Sequence, residues 1–420
     1  MNKFAYNELK ETIYTHTLSN GLKVILAPKK DYNHVCAYFT TKFGGAYHGI
    51  DVNGTKLLSG LAHFLEHRLF DNPKGEVMDL FDSYGAAYCN AYTSFDITTF
   101  IFKSSVNINK CVNLLLDFVQ MVEFTKERVD NEKKIITQEY HMGDDKPNSK
   151  LFYGLLANSL VKYPFNKKVI GTLEDIANTT KEDLYLAHDT FYHPKNMYLV
   201  IVGAFSPKQM LNLIEKNQKS KEFKEVKSPR IEVVEPKKVN KEYEELNLGL
   251  PYYKVGVTYK FDSKIYQDKK EKVKDSMIYE MIYKLLFGAS SPLAESLLKE
   301  NIVNNFIEYD AFIEDGLNMS MFVADCNDKD KFINKLDQII NNPTQFIQKE
   351  SFMNAKRKNY SKSIKELDNP EDYADRLMHA YKDEILYLDY FEIAKSITFE
   401  EIIEKANSLK NHIKSVYVIH

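Results

Sequence analysis

The run Leu61-Ala62-His63-Phe64-Leu65-Glu66-His67-Arg68-Leu69-Phe70 constrains this chain more than any other. Leu58, Leu61, Leu65 and Leu69 recur at spacings of three and four, the period of a helix with one apolar stripe. His63, Glu66 and His67 fall together in an arc opposite that stripe. A fold that holds this segment must bury the leucines and turn the three polar groups toward a cleft. Ser59 and Gly60 suit the start of such a helix.

The polar trio has a chemistry. Two imidazoles four residues apart on a helix can hold one zinc ion, and a carboxylate beside them can take a proton from water activated there. A His-x-x-Glu-His string also arises by chance, but the placement of all three residues opposite the leucines argues against accident. A hydrolytic zinc site usually has three protein ligands, so a third must come from elsewhere. The segment Lys126 to Met142 reads as a helix with Thr125 as N-cap and Glu127 in its first turn. Val129, Ile135, Ile136, Tyr140 and Met142 spread over one side of it, with Glu132 and Glu139 in their midst. Carboxylates on a buried face need a cation or a metal. Glu139 as ligand with Glu132 as its support meets that need, and so does a wet cavity or an arginine paired with them.

Taken together, His63 to His67 and the later Glu132 and Glu139 resemble the pitrilysin/insulinase-type inverzincin metallopeptidases. The gap from His67 to Glu139 is a few residues shorter than is usual in that family. Further phrases carry the likeness along residues 15 to 215. Asn20-Gly21 followed by Leu22 to Leu26 is similar to the family's opening hairpin, read as a tight type I′ turn. Gly85 and Asn90-Ala91-Tyr92-Thr93-Ser94-Phe95-Asp96 resemble its active-site edge strand. Gly171-Thr172-Leu173-Glu174-Asp175-Ile176 and Tyr192-His193-Pro194-Lys195-Asn196-Met197 resemble the end of its first domain. Within the family, Glu8 to Tyr14 and the Gly60 to Phe70 segment look most like the small bacterial members of YmfH type.

The resemblance implies an α+β fold of the LuxS/MPP-like metallohydrolase type. It has two homologous domains, each a mostly antiparallel sheet with helices packed on one face. The expected boundaries are a zinc-bearing domain at 1–225, a charge-dense linker at 226–245 and a second domain at 246–420 without the zinc motif. Val35 to Phe43 and Tyr253 to Phe261 echo each other, as a duplication requires. The resemblance also assigns roles: His63, His67 and Glu139 as ligands of one Zn2+ per chain, Glu66 as general base and Glu132 as support for the ligand geometry. The backbone around Asn90 and Ala91 would pair with a peptide substrate. The expected activity is that of a zinc endopeptidase acting on short or unfolded peptides inside a closed chamber.

One departure matters. After the turn Phe287-Gly288-Ala289-Ser290-Ser291-Pro292-Leu293, active relatives often carry an Arg and, seven residues on, a Tyr that help hold substrate. Leu298 and Asn305 stand there. The chain is therefore expected to be the zinc-bearing half of a heterodimer whose homologous partner supplies the Arg-Tyr pair, with a homodimer as the other arrangement. A non-catalytic assembly or regulatory subunit of the same fold is the alternative function, disfavoured because His63, Glu66, His67 and Glu139 are all present.

Composition narrows the field. A length of 420 residues with 44% apolar content suits two or three packed domains. The net charge of −3, with both signs interspersed, points to no nucleic-acid partner. No run approaches a membrane span, and the N-terminus lacks an apolar signal core. Cys36, Cys89, Cys111 and Cys326 are scattered and read as reduced thiols of a cytoplasmic protein. His188, His193 and His379 show no ligand spacing and read as packed or surface residues.

Overall fold

The computed structural model describes residues 1–72, 75–224 and 226–420, so the expected domain end at residue 225 lies outside them. The chain divides into two compact units. The first comprises residues 1–141, 168–231 and 363–387, and the second residues 142–167, 232–362 and 388–420.

The first unit holds a seven-stranded sheet. In spatial order its strands are Asn2–Tyr6, Glu11–Thr17, Lys23–Pro28, Met197–Gly203, Val35–Thr41, Thr98–Ser104 and Ala86–Thr93. Every neighbouring pair is antiparallel except Lys23–Pro28 with Met197–Gly203. The second unit holds a five-stranded sheet in the order Tyr243–Leu246, Ile413–Ile419, Tyr253–Lys260, Leu317–Cys326 and Glu308–Glu314. Its one parallel pair is Tyr243–Leu246 with Ile413–Ile419. The five strands match the last five of the first sheet one for one, and the parallel pair falls at the same place. Val35–Thr41 and Tyr253–Lys260 thus hold equivalent central positions, which explains the echo between their sequences. The fold is α+β and duplicated.

Alternation along the central strands sorts their side chains onto two faces. Val35, Ala37, Phe39, Leu199 and Ile201 join the main core of the first unit beneath its helices, among them Leu61–Phe70 and Ile108–Gln120. The opposite face is covered by the helix Pro370–Lys382, where the Tyr198 hydroxyl donates to the Met378 carbonyl at 3.1 Å. The second unit repeats this with the helix Pro147–Ser159 against Tyr253–Lys260 and Ile413–Ile419. Each unit thus completes its sheet with a helix from the other half of the sequence.

Two local expectations change. Asn20-Gly21 does not form a two-residue type I′ turn. Gly21 alone has a positive φ, +92°, and the link from Thr17 to Lys23 closes through Leu18 N–H to the Leu22 carbonyl at 2.9 Å. The loop is wider because the Asn20 side chain accepts from Leu22 N–H at 3.2 Å and donates to Gln218 at 3.0 Å. In the Lys126–Asp144 helix, Val129, Glu132 and Ile136 are buried, but Ile135 and Met142 are 53% and 67% exposed. They lie just beyond the buried arc, on the flank of Glu139.

The four cysteines are free, and burial pushes the Cys36 and Cys89 thiols up to about 12. Among the described residues no helix is long and apolar enough to cross a membrane.

Candidate active site

The Leu61–Phe70 helix buries Leu61, Leu65 and Leu69 along with Phe64, and leaves His63, Glu66 and His67 half-buried. Its start is set from outside. Gly60 sits at the N-cap with φ +85°, and a β-carbon there would fall on the Ile170 carbonyl. The Ser59 side chain does not cap the helix as its position suggested; its hydroxyl donates to Asp175 and accepts from Thr172 N–H at 3.2 Å. Asp175 also accepts from Ser59 N–H at 3.1 Å. The Gly171 to Ile176 phrase is therefore a buckle that aims the helix. Gly60→Ala is expected to destabilise the fold by roughly 1–2 kcal/mol from backbone strain alone, with the steric clash in addition. Thermal or urea melts check this.

On the second helix Thr125 does act as the cap, accepting from Arg128 N–H at 3.3 Å. Glu139 emerges with its side chain 48% exposed and meets both imidazoles. Its oxygens lie 3.5 Å from His63 Nε2 and 3.4 Å from His67 Nε2. Donors about 2.0–2.2 Å from one tetrahedral centre stand about 3.4 Å from each other. The spacing is too long for good hydrogen bonds and right for a shared ion. Among the described residues this is the one group of three potential ligands of its kind, with all donor atoms within 4.8 Å. Two imidazoles and one carboxylate are a donor set that zinc accepts while keeping a position open.

Behind the ligands, Glu132 is buried and its Oε1 lies 2.9 Å from His67 Nδ1. Its Oε2 takes a bond from Arg68 Nη1 at 3.3 Å. Glu139, expected on the buried face, is exposed and faces the two histidines, while the buried Glu132 pairs with an arginine and a histidine. Burial pulls the His67 imidazole down, but its hydrogen bond to Glu132 and the two neighbouring carboxylates, Glu132 and Glu139, win and raise it to about 9. Burial pushes the Glu132 carboxyl up, and His67 and Arg68 together hold it below its ordinary value. The His63 and His67 imidazoles beside it hold the Glu139 carboxyl well below the usual carboxylate range.

Glu66 is positioned from the sheet. The Thr93 hydroxyl donates to its Oε2 at 2.6 Å and lies 3.2 Å from the Thr98 hydroxyl. Thr93 ends the strand Ala86–Thr93, which is the edge of its sheet and among the described residues pairs only with Thr98–Ser104. Ala91 is half-buried on this strand, and its N–H donates to the exposed Asn90 side-chain oxygen at 2.9 Å. Asn90 also donates to the Tyr88 hydroxyl at 2.6 Å. Thr93→Val removes one charge-assisted hydrogen bond from Glu66. A kcat loss of about 10- to 100-fold is expected, with KM little changed, in steady-state peptide assays.

The remaining candidates are accounted for. His188 is buried with Nε2 2.9 Å from the Val119 carbonyl, and His193 is buried with Nδ1 accepting from Lys195 N–H. His379 Nε2 lies 3.5 Å from Asp375 and 3.3 Å from the Tyr92 hydroxyl. In the second unit Leu298 packs against the core, and Asn305 is tied to Asp325 through both its amide atoms, at 3.3 and 3.0 Å. Sequence reasoning did not single out Arg68 or Thr93. The only signal for Arg68 was that a buried Glu132 demands a cation.

Residues 52–173 match the family model described as Insulinase (Peptidase family M16), and residues 178–359 match that described as Peptidase M16 inactive domain. The chain is 33% identical over 407 residues to the uncharacterized zinc protease YmfH of Bacillus subtilis (strain 168), covering 94% of each. It is 29% identical to the zinc protease PqqE of Helicobacter pylori over 53% of this chain and 50% of that protein. Its structure superposes on that of an M16-like peptidase from Alicyclobacillus acidocaldarius with a TM-score of 0.87 at 27% identity, covering 97% of this chain and 98% of the other. A protease from Helicobacter pylori shares the fold at a TM-score of 0.82 and 23% identity, covering 97% and 99%. With its His-x-x-Glu-His helix, a converging glutamate and a duplicated α+β fold, the chain belongs to the insulinase family, peptidase family M16.

Proposed function

We propose that this chain is a zinc endopeptidase of short or unfolded peptides, holding one Zn2+ through His63, His67 and Glu139. The convergence of those three side chains at ion-sharing distances, with Glu66 beside them, is the observation that supports the reading. In our reading residues 1–225 form the zinc-bearing domain, 226–245 the linker and 246–420 the homologous second domain.

Zinc held there supplies a Lewis acid that polarises water and the scissile carbonyl. Thr93 occupies Glu66 Oε2, so Oε1 is left to accept the proton of the attacking water. The same oxygen returns a proton to the leaving amine nitrogen. Glu132 keeps the His67 ring oriented by accepting from its Nδ1–H. The outer edge of Ala86–Thr93 adds the substrate as a further strand, with backbone contacts around Asn90 and Ala91, so side-chain preference is loose.

Leu298 has no donor and the Asn305 amide is committed to Asp325, so we assign this chain the zinc-bearing role in a split-site heterodimer working within a closed chamber. The four free thiols support a cytoplasmic setting. The test is cleavage of a quenched generic peptide by the purified chain, alone and co-expressed with a homologue carrying the Arg-Tyr pair. Strong activity only in the mixture supports the heterodimer, and full activity alone discards it. A natively metal-free, inactive chain would support the assembly role instead.

A further inference from the structure

We propose that Arg68 is a positioning residue of the metal site, the bolt that fixes Glu132 behind His67 and joins the two ligand-bearing helices. The inference rests on reading His63, His67 and Glu139 as zinc ligands.

Arg68 follows the second histidine directly, and both side chains reach the same Glu132 carboxylate. Its side chain is 3% exposed, which is rare for an arginine without anionic partners. Nη1 bonds Glu132 Oε2 at 3.3 Å and Nη2 bonds Asp71 Oδ2 at 2.6 Å. Its Nε has no acceptor among the described residues, so these two carboxylates carry the whole of its compensation. Asp71 in turn pairs with Arg128 Nη1 at 3.2 Å, one turn before Glu132 on the Lys126–Asp144 helix. The result is a closed set of contacts: His67 and Arg68 from one helix, Asp71 just after it, and Arg128 and Glu132 from the other. Glu139 lies two turns beyond Glu132 on that same helix. Whatever fixes Glu132 against His67 therefore also fixes the approach of Glu139 to the two imidazoles.

Charge makes the role specific to the loaded site. An imidazole that gives Nε2 to a metal is neutral and retains only the Nδ1 proton. Arg68 is then the side-chain cation that still touches Glu132. The guanidinium fork reaches two carboxylates at once, which a lysine ammonium does not reproduce.

Zinc affinity by chelator competition tests this, with the melting temperature of the metal-free chain measured alongside. Arg68→Met is expected to weaken zinc binding by about 10- to 100-fold. Arg68→Lys should lose less, and Arg68→Met in a Glu132→Leu background should cost nothing further. A wild-type chain that takes one zinc, with an Arg68→Met chain that takes it as tightly, overturns the role of Arg68. The same loss in the Glu132→Leu background overturns the route through Glu132. If Arg68→Met does not fold, Arg68→Lys carries the test, and wild-type affinity there overturns the bridging claim. A wild-type chain that takes no zinc overturns the underlying site reading, so the two failures are distinguishable.

Discussion

Glu66→Gln is expected to lower kcat by roughly 10²- to 10⁴-fold while leaving zinc content and the fold intact. Glutamine keeps the shape, and its side-chain oxygen can still accept from the Thr93 hydroxyl that now bonds Glu66 Oε2 at 2.6 Å. It cannot take a proton from water. Glu66 does not belong to the group formed by His63, His67 and Glu139, so the ion should remain. KM should change little, because the carboxylate acts in the transition state and not in ground-state binding. Metal analysis and steady-state kinetics on the same sample separate the outcomes. Unchanged turnover would give the proton transfer to another group, and loss of zinc would make Glu66 a ligand.

The largest stability effect is expected in the second unit. Lys260 and Glu235 form an ion pair at 2.5 Å with side chains 1% and 0% exposed. The lysine also donates to the carbonyls of Ser159 and Lys238 at 2.9 and 2.6 Å. Glu235 accepts from the N–H groups of Val161, Lys162 and Tyr163 at 2.7, 2.8 and 2.6 Å. The network fastens the segment after residue 232 to the end of the Pro147–Ser159 helix. Burial alone would drive the Glu235 carboxyl up, but Lys260 and the three N–H groups hold it down. Lys260→Met leaves that carboxylate buried without its cation, a change that costs about 3–5 kcal/mol. Against a typical domain stability of about 5–15 kcal/mol this is a large fraction. Adding Glu235→Leu should not restore stability, although removing both charges of a buried pair often does. Here the carboxylate also satisfies three backbone donors, each costing about 1–3 kcal/mol when left bare. Denaturant midpoints of the single and double variants decide the matter, and a wild-type midpoint for Lys260→Met would refute the account of the network.

The parts of the site that could be read from sequence are those written in local patterns. The leucine stripe of Leu61–Phe70 and its polar trio lie within one helix, so periodicity alone orients them. Glu132 and Glu139 stood out because a carboxylate among apolar neighbours needs an explanation. Ile135 and Met142 were misplaced for a related reason. A helix's own pattern marks an apolar arc but not where its partner ends, and these two residues fall just outside the contact. Arg68 was not singled out, because its partner Glu132 is 64 positions away in sequence. Thr93 lay inside a recognised phrase, yet only the register of Thr98–Ser104 against Ala86–Thr93 places it near Glu66. The exchange of Pro147–Ser159 and Pro370–Lys382 between units has no local signature, since any amphipathic helix could cover either sheet.

The central claim is that this chain holds one zinc through His63, His67 and Glu139 and uses it to cleave peptides. The most direct measurement is peptide cleavage by the chain, with any partner it needs, after removing its metal and titrating zinc back. The account predicts that activity disappears on chelation, returns in proportion to zinc and saturates at one equivalent per chain, and that His63→Ala abolishes both the binding and the recovery. Cleavage that survives complete metal removal, or full zinc binding and recovery in His63→Ala, would contradict it.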